Sequence, residues 1–340
     1  MISRERALEE LTVIKVLILT HKNKGGPAIF RSRLIDALNK IEDIKVVTNE
    51  EEKFDVGLEF IKRESKHSKP YILRASSCYY MYKYKLWNNK PIFKSIKKSA
   101  HTIFQSNYAY NLCNRVLSLE DRGAIKQGYS IIYNGIDLDY INSIKPKEGI
   151  EPGSFVSCAR WDSNKRPISM IKGFLEANTK RHLYIIGGEG VNIWGRELGK
   201  KYRKNKYIHF LGEKSNKKTI AIMKACDYQM HLAFIDICPN VVLEGLACGL
   251  NVLCTNLGGT PELVGKNGVI LNVDTQWKSK YLRYTDDMTN TKRKHLDEVC
   301  STIVANGVHK LLKSKVKPDM SKFSIDDVAK KYAGIIRKSV

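Results

Sequence analysis

The chain has 340 residues, of which 43% are hydrophobic and 27% are charged, and its formal net charge is +23. The length favours two domains over one, and the composition excludes extensive disorder. No apolar run approaches the roughly 20 residues that span a bilayer. The apolar run at 13–20 is too short and too internal for a signal peptide, so we expect a cytoplasmic protein.

The first half of the chain alternates short apolar segments with helical patterns. The first segment is followed by a glycine-bearing turn and a helical pattern at 29–38. Because strands and helices alternate, this half predicts a parallel sheet covered by helices on both faces. The candidate strands are 15–20, 45–48, 56–58, 71–74, 102–105 and 131–133.

The second half repeats the same alternation. Its candidate strands are 154–159, 182–186, 208–211, 228–232, 252–255 and 268–271, and its helical patterns are 168–177, 216–225, 241–248 and 261–264. We therefore predict two doubly wound α/β domains that face a central cleft. The predicted divisions are a first domain at 1–143, a linker at 144–153, a second, ligand-binding domain at 154–320, and a final helix at 321–340 that packs back on the first domain.

The eight cysteines are scattered, and no two are spaced as a C-x2-C pair. This spacing does not suit a structural metal site. Scattered single cysteines in a long chain are typical of reduced, mostly buried thiols. We therefore expect no structural zinc site.

A long stretch of the first half contains no acidic residue. Between Glu64 and Glu120 it carries ten Lys or Arg residues together with the aromatic run Tyr79, Tyr80, Tyr82, Tyr84 and Trp87. Basic residues interleaved with aromatics suit an anionic membrane surface, a phosphorylated acceptor or nucleic acid. A solvated face of a lysine-rich chain explains the stretch equally well.

The most informative stretch runs from 236 to 262. Seven residues separate Asp236 from Glu244, and a helical pattern begins near Val241. Backbone N–H groups at the start of that helix would face a bound anion, while the two carboxylates could accept hydroxyls at opposite ends of the same ligand. The alternative is that Asp236 resembles a helix N-cap and Glu244 is an exposed helix residue.

The stretch resembles the E-x7-E signature of retaining glycosyltransferases of family 4, which have the GT-B fold of two Rossmann-like domains. Further motifs of that family occur in the expected order, at THKNKGG (20–26), IIYNGID (131–137), SCARWDSNKRP (157–167), YIIGGEG (184–190) and HFLGEKSNKKTIAIMKACD (209–227). The resemblance implies transfer of a hexose-type sugar from a nucleotide-diphosphate sugar to a glycan, a lipid-linked acceptor or another acceptor. Neither a metal nor another cofactor is implied, and we expect no bound metal because no DxD-like acidic cluster accompanies the predicted phosphate site.

The resemblance also implies roles for particular residues. Arg160 and Lys165 would converge on the diphosphate and stabilise it as it leaves. Glu244 would bind the donor ribose and Asp236 the transferred sugar, so Arg160, Lys165 and Asp236 are the catalytic candidates. The remaining substrate-binding candidates line the sugar, phosphate and acceptor pocket: Gly25, Gly26, Ile237, Cys238, Pro239, Asn240 and Val241.

Some positions depart from the family pattern. Relatives usually have Glu where this chain has Asp236, and many have His where the strand YILRASS supplies Arg74. His21 is a candidate cleft residue, but no catalytic base is assigned, because in a retaining mechanism the donor phosphate can take the acceptor proton. Asn134, Gly258, Gly259 and Glu262 are expected to be structural.

Two alternatives stay open. One is another GT-B activity, such as a sugar-nucleotide epimerase, and the other is a non-catalytic protein that binds polyanions or glycans. Peripheral contact with an anionic membrane is a further hypothesis, whereas nucleic acid is not an expected partner. An NAD-linked dehydrogenase is excluded because the turn at Gly25 and Gly26 lacks GxGxxG spacing.

Overall fold

The fold is described from a computed structural model of the chain. The structure describes residues 13–20, 25–78, 89–188, 199–273, 299–314 and 316–340. His21 and the aromatic run Tyr79, Tyr80, Tyr82, Tyr84 and Trp87 lie outside the described residues. None of the helices in the described ranges is long and apolar enough to cross a bilayer.

The first domain is built on a parallel sheet with six strands in the described part of the chain, in the order β2-β1-β3-β4-β5-β6. All residues of β3 and β4 are buried, because helices cover both faces of a sheet of this kind. The strands are β1 (Ile14–Leu17), β2 (Ile44–Val47), β3 (Val56–Phe60), β4 (Tyr71–Ala75), β5 (His101–Phe104) and β6 (Tyr129–Ile131).

Helices α1 (Gly26–Leu38), α2 (Asn89–Lys98) and α3 (Asn107–Leu117) lie between these strands. Pro27 sits in the first turn of α1, where its missing N–H is not needed. Ser106 begins α3, and its hydroxyl accepts a hydrogen bond from Ala109 N at 3.0 Å. The N-termini of α1 and α3 both face the carboxyl edge of the sheet, where ligands of doubly wound folds bind.

The second domain repeats this design with the strand order β12-β11-β10-β7-β8-β9 among the described residues. Its strands are β7 (Phe155–Cys158), β8 (Leu183–Ile186), β9 (Ile208–Gly212), β10 (Tyr228–His231), β11 (Asn251–Thr255) and β12 (Gly268–Leu271). Its helices are α5 (Pro167–Glu176), α6 (Asn216–Lys224), α7 (Asn240–Ala247), α8 (Thr260–Val264) and α9 (Ser301–Leu312). The prediction of two doubly wound α/β domains is confirmed.

The chain crosses between the domains earlier than the linker at 144–153 that the sequence suggests. Helix α4 (Leu138–Ser143) follows β6, and Ile136, Ile141 and Ile144 pack in the core of the second domain. The physical reason is that these three side chains are apolar and spaced to meet that core, whereas the prolines and glycines that mark a linker come later in the chain.

The last helix, α10 (Ile325–Arg337), packs on α1 of the first domain. Phe30 and Tyr332 contact one another with ring centroids 6.3 Å apart, and both side chains are fully buried in the first domain's core. Backbone bonds between Ile136 and both Phe323 and Ile325 fix where the chain returns. The point where the chain returns to the first domain therefore lies directly beside the point where it first enters the second domain.

Candidate active site

A cleft of about 580 Å³ separates the two domains at the carboxyl edges of their sheets. This volume lies within the range of small-molecule sites. Its walls carry four basic side chains, Arg74, Arg160, Lys165 and Lys214, and two carboxylates, Asp236 and Glu244. Both domains contribute residues to the cleft. Two loops and the ends of helices hold these residues in place.

The loop after β7 positions Lys165. Asn164 ties this loop to the one after β10, since its side-chain nitrogen donates to Ile235 O at 3.1 Å and its carbonyl accepts from Phe234 N at 2.7 Å. Lys165 Nζ then lies 2.6 Å from Asp236 Oδ2. The two loops thus form one unit that brings a cation and a carboxylate together, although 71 residues separate them in the sequence.

Asp236 is a charged carboxylate in a mostly buried setting. Burial would raise the pKa of Asp236, but His231 and Lys165 together lower it below its ordinary value. His231 ends β10, and its Nε2 lies 3.3 Å from Asp236 Oδ2, within reach of a hydrogen bond from the ring to the carboxylate. Burial lowers the pKa of His231, so the ring is neutral near pH 7 and the charge opposite Asp236 comes from Lys165.

Two glycines hold the Asp236 loop in place. Gly258 has a φ of 73°, a conformation that favours glycine, and Gly259 N donates to Asp236 O at 2.7 Å. A Cβ on Gly259 would meet Ile237 O at 1.9 Å. Gly258 and Gly259 therefore affect the site by fixing the backbone of the loop that carries Asp236.

The start of α7 is tied to the first domain. Pro239 precedes the helix, and its side chain makes no capping hydrogen bond, so backbone N–H groups at this end are available to an anion. Asn134 Nδ2 donates to Asn240 Oδ1 at 2.7 Å and to Cys238 O at 3.0 Å. Asn240 Nδ2 in turn donates to Gly26 O at 3.1 Å.

Glu244 lies on the second turn of α7, and its side chain is 8% exposed. Its Oε1 accepts a hydrogen bond from Arg33 Nη2 at 2.6 Å and from Asn216 Nδ2 at 3.2 Å. Arg33 belongs to α1 of the first domain. The alternative in which Glu244 is an exposed helix residue is therefore wrong.

A second carboxylate, Glu262 on α8, also joins the domains. Its oxygens accept from Asn107 N at 2.8 Å, Tyr108 N at 2.7 Å and Tyr133 Oη at 2.9 Å. The carboxylate sits at the start of α3, where the helix dipole favours negative charge. Glu262 does not line the cleft, and the contacts fit the structural role expected for it.

Arg74 is the largest fully buried side chain among the described residues and is 1% exposed. Its guanidinium donates to Ser76 Oγ at 2.8 Å and to Gln105 Oε1 at 2.7 Å, and also to Asn134 Oδ1. It packs 4.3 Å from the ring centroid of Phe30. Arg74 therefore forms a fixed, positively charged part of the cleft wall.

The structure brings most of the site residues that the sequence singles out around this cleft. Gly25 directly precedes α1 and has a φ of 111°, and it is not among the residues that line the cleft. The candidates that line the cleft are Gly26, Arg160, Lys165, Asp236, Ile237, Cys238, Pro239, Asn240, Val241 and Glu244.

The sequence did not identify three residues that shape the site. Arg33 and Asn216 hold Glu244, and His231 lies beside Asp236. Only His231 has a local signal, since it lies near the end of the predicted strand at 228–232, five residues before Asp236. The other two depend on how helices pack, which spacing along the chain does not reveal.

The two thiols that line the cleft, those of Cys158 and Cys238, are poorly suited to act as nucleophiles at neutral pH. Burial raises the pKa of Cys238 to about 12, and thiolate chemistry requires a much lower value. Burial raises the pKa of Cys158 to the same value. Within the described ranges, no three His, Cys, Asp or Glu side chains lie together as a metal site.

Sequence comparisons relate part of the chain to known proteins. Residues 141–287 match the family model described as glycosyl transferases group 1. Over 150 residues the chain is 27% identical to the N-acetylgalactosamine-N,N'-diacetylbacillosaminyl-diphospho-undecaprenol 4-alpha-N-acetylgalactosaminyltransferase of Campylobacter jejuni subsp. jejuni serotype O:2. That match covers 43% of this chain and 40% of the relative's length.

Solved structures share the fold over nearly the whole chain. Anabaena Alr3699/HepE in complex with UDP-glucose aligns with a TM-score of 0.61 at 14% identity, over 96% of this chain and 100% of that one. WaaG, a glycosyltransferase involved in lipopolysaccharide biosynthesis, aligns with a TM-score of 0.56 at 12% identity, over 95% and 99% of the two chains.

The fold and the cleft define a GT-B protein, in which two Rossmann-like domains face one another across a ligand site. Within that fold, residues 141–287 match the model of the glycosyl transferases group 1 family. The match and the shared fold support the resemblance to GT-B glycosyltransferases that the E-x7-E stretch and its neighbouring motifs indicate, and the retaining mechanism stays a prediction. The reaction and the roles of individual residues are treated as proposals below.

Proposed function

We propose that the protein is a retaining glycosyltransferase that moves a hexose-type sugar from a nucleotide-diphosphate sugar to an acceptor. The observation that carries this proposal is that Arg160 and Lys165 line the same interdomain cleft as Asp236 and Glu244. A sugar diphosphate presents anionic oxygens between two sets of hydroxyls. The cations of the cleft can bind the anionic oxygens, and its carboxylates can accept hydrogen bonds from the hydroxyls.

The proposed donor pose follows from this arrangement. The diphosphate lies between the side chains of Arg160 and Lys165 and the start of α7, where backbone N–H groups favour an anion. The nucleoside ribose reaches Glu244, and the sugar reaches Asp236. As the bond to the sugar breaks, negative charge grows on the diphosphate, and preorganised cations stabilise that charge more than they stabilise the bound donor.

Asp236 is proposed to bind hydroxyls of the transferred sugar. Because its pKa is lowered below the ordinary value, Asp236 is ionised at neutral pH and acts as a hydrogen-bond acceptor. Neutral His231 and charged Lys165 keep it in that state. With no side chain assigned as base, the departing phosphate takes the proton of the acceptor hydroxyl, which attacks from the same face and so retains the anomeric configuration.

The donor site is proposed to work without a metal, because Arg160 and Lys165 supply the positive charge that a divalent cation provides elsewhere. The acceptor is proposed to enter along the first domain. A glycan or a lipid-linked sugar is the favoured class, since the name of the Campylobacter relative includes a diphospho-undecaprenol and WaaG is involved in lipopolysaccharide biosynthesis.

The proposal is tested by incubating the full chain with UDP-, GDP- and ADP-sugars and measuring the release of nucleoside diphosphate, with and without EDTA. One nucleotide class should be hydrolysed slowly, EDTA should have no effect, and Lys165→Met and Glu244→Gln should each lower the rate by roughly 10²-fold or more. Lys330→Met is the matched control, because Lys330 is exposed and pairs with a neighbour on its own helix, away from the cleft.

Several outcomes would contradict the proposal. Absence of turnover with every nucleotide sugar would refute it, and so would full activity in both cleft variants. Formation of an epimeric UDP-sugar without an acceptor would instead support the epimerase alternative. Once an acceptor is found, the anomeric configuration of the product, read by NMR, tests retention.

A further inference from the structure

Glu244 of the second domain is held by a cation from the first domain. Arg33 Nη2 donates to Glu244 Oε1 at 2.6 Å, and the two side chains are 14% and 8% exposed. Charge-assisted hydrogen bonds are the strong ones, and shielding from water limits the screening of this one by salt. The contact therefore joins the domains at the point where the donor ribose is proposed to bind.

The two oxygens of Glu244 have different surroundings. Arg33 and Asn216 both donate to Oε1, whereas within the described ranges Oε2 accepts no hydrogen bond. An ionised carboxylate offers about four acceptor positions. Oε2 can therefore accept ribose hydroxyls while Oε1 stays held, and the ligand does not need to displace Arg33.

Arg33 lies behind the carboxylate and does not compete with the ligand. Glu244 is among the residues that line the cleft, and Arg33 is not. The second terminal nitrogen of Arg33, Nη1, is buried and has no acceptor among the described residues. The hydrogen bond between Arg33 and Glu244 therefore fixes the orientation of both side chains.

We propose that Arg33 is a positioning residue for ribose recognition: it fixes the orientation of Glu244 across the domain interface, so that Oε2 is presented to the ribose hydroxyls of a nucleoside diphosphate. This inference rests on the proposed function, because it takes the ligand of Glu244 to be a ribose. It goes further by making recognition of the nucleoside depend on a residue of the first domain.

The test measures the binding of nucleoside diphosphates to the full chain by calorimetry. UDP, GDP and ADP are screened, and the tightest binder is compared with its 2′,3′-dideoxy analogue. In Arg33→Met the affinity for the ribonucleotide should fall roughly 10- to 100-fold, the range expected for a lost hydrogen bond between charged groups. The affinity for the dideoxy analogue should change far less, and Arg33→Lys should restore part of the discrimination.

Glu262→Gln is the control for domain closure alone. Glu262 also bridges the domains but does not line the cleft. Glu262→Gln should therefore weaken both nucleotides by the same factor, if it weakens either. Circular dichroism and thermal unfolding establish that each variant is folded, and Arg33→Lys supplies a second reading should Arg33→Met fold poorly.

The outcomes separate this inference from the proposed function. If Glu244→Gln abolishes discrimination between the two nucleotides while both Arg33 variants keep it, the role of Arg33 is refuted and the ribose site stands. Equal weakening of both nucleotides by Arg33→Met would also overturn the inference. If no nucleoside diphosphate binds the wild-type chain, or Glu244→Gln discriminates as the wild type does, the ribose site itself is refuted.

Discussion

The ion pair between Lys165 and Asp236 offers a quantitative test of how the site is built. The pair is 2.6 Å long, and its side chains are 20% and 23% exposed. A hydrogen bond between charged groups in such a setting stabilises a protein by about 1.5–3 kcal/mol. Lys165→Met and Asp236→Asn should each lower the free energy of unfolding, and the coupling energy from the double-mutant cycle should fall in that range.

Urea unfolding of the wild type, both single variants and the double variant gives the coupling energy. A matched cycle on Lys330 and Asp327 is the control, because this pair is 73% and 48% exposed, and such pairs contribute about 0.3–0.5 kcal/mol. If the cleft cycle gave no more than the exposed one, the two loops would not be joined by the charge pair as described.

The same pair predicts a pH dependence with a definite sign. The folded-state pKa of Asp236 is lowered below the value of about 3.9 expected in the unfolded chain. The stabilisation is therefore fully present above about pH 4 and is lost as the pH falls through the folded-state pKa. Between about pH 4 and pH 2 the wild type should lose more stability than Asp236→Asn. Equal losses would contradict this assignment.

Three further predictions concern other parts of the molecule. Glu262→Gln removes a carboxylate that accepts hydrogen bonds from the other domain, so calorimetry should show earlier unfolding with the two domains melting separately; a single unchanged transition would count against this. Gly259→Ala places a Cβ 1.9 Å from a carbonyl oxygen and should cost at least about 1–3 kcal/mol in urea unfolding, whereas Gly334→Ala, which meets nothing within 4 Å, should not destabilise. Iodoacetamide should label exposed Cys300 first, because backbone N–H groups lower the pKa of its thiol. Cys238 should be labelled only on unfolding, because burial raises the pKa of its thiol to about 12. Peptide mass spectrometry separates the two products, and early labelling of Cys238 would refute its burial.

The fold was largely predictable because its strands are short apolar runs between turns. The second candidate strand was placed at 45–48 and lies at Ile44–Val47, and the candidate at 268–271 matches β12. Such runs arise because strands covered on both faces must be apolar throughout. Helix α2 was not placed, since its sequence NKPIFKSIKK has only a few apolar positions and lies in a lysine-rich stretch.

The cleft residues were predictable where they lie close together in sequence. Asp236 and Glu244 belong to one turn and helix, so their spacing alone suggested a shared ligand. Arg33 is 211 residues from Glu244, and their contact depends on the angle between the domains. No periodicity encodes that angle, because it results from the packing of α10 on α1 and from the bonds around Asn134.

The most direct test of the account is a crystal structure of the full chain with the nucleoside diphosphate that binds best. We expect the phosphates within hydrogen-bonding distance of Arg160, Lys165 and the start of α7, with a ribose hydroxyl on Glu244 Oε2. A nucleoside diphosphate bound outside the interdomain cleft, or with its phosphates away from both cations, would contradict the account.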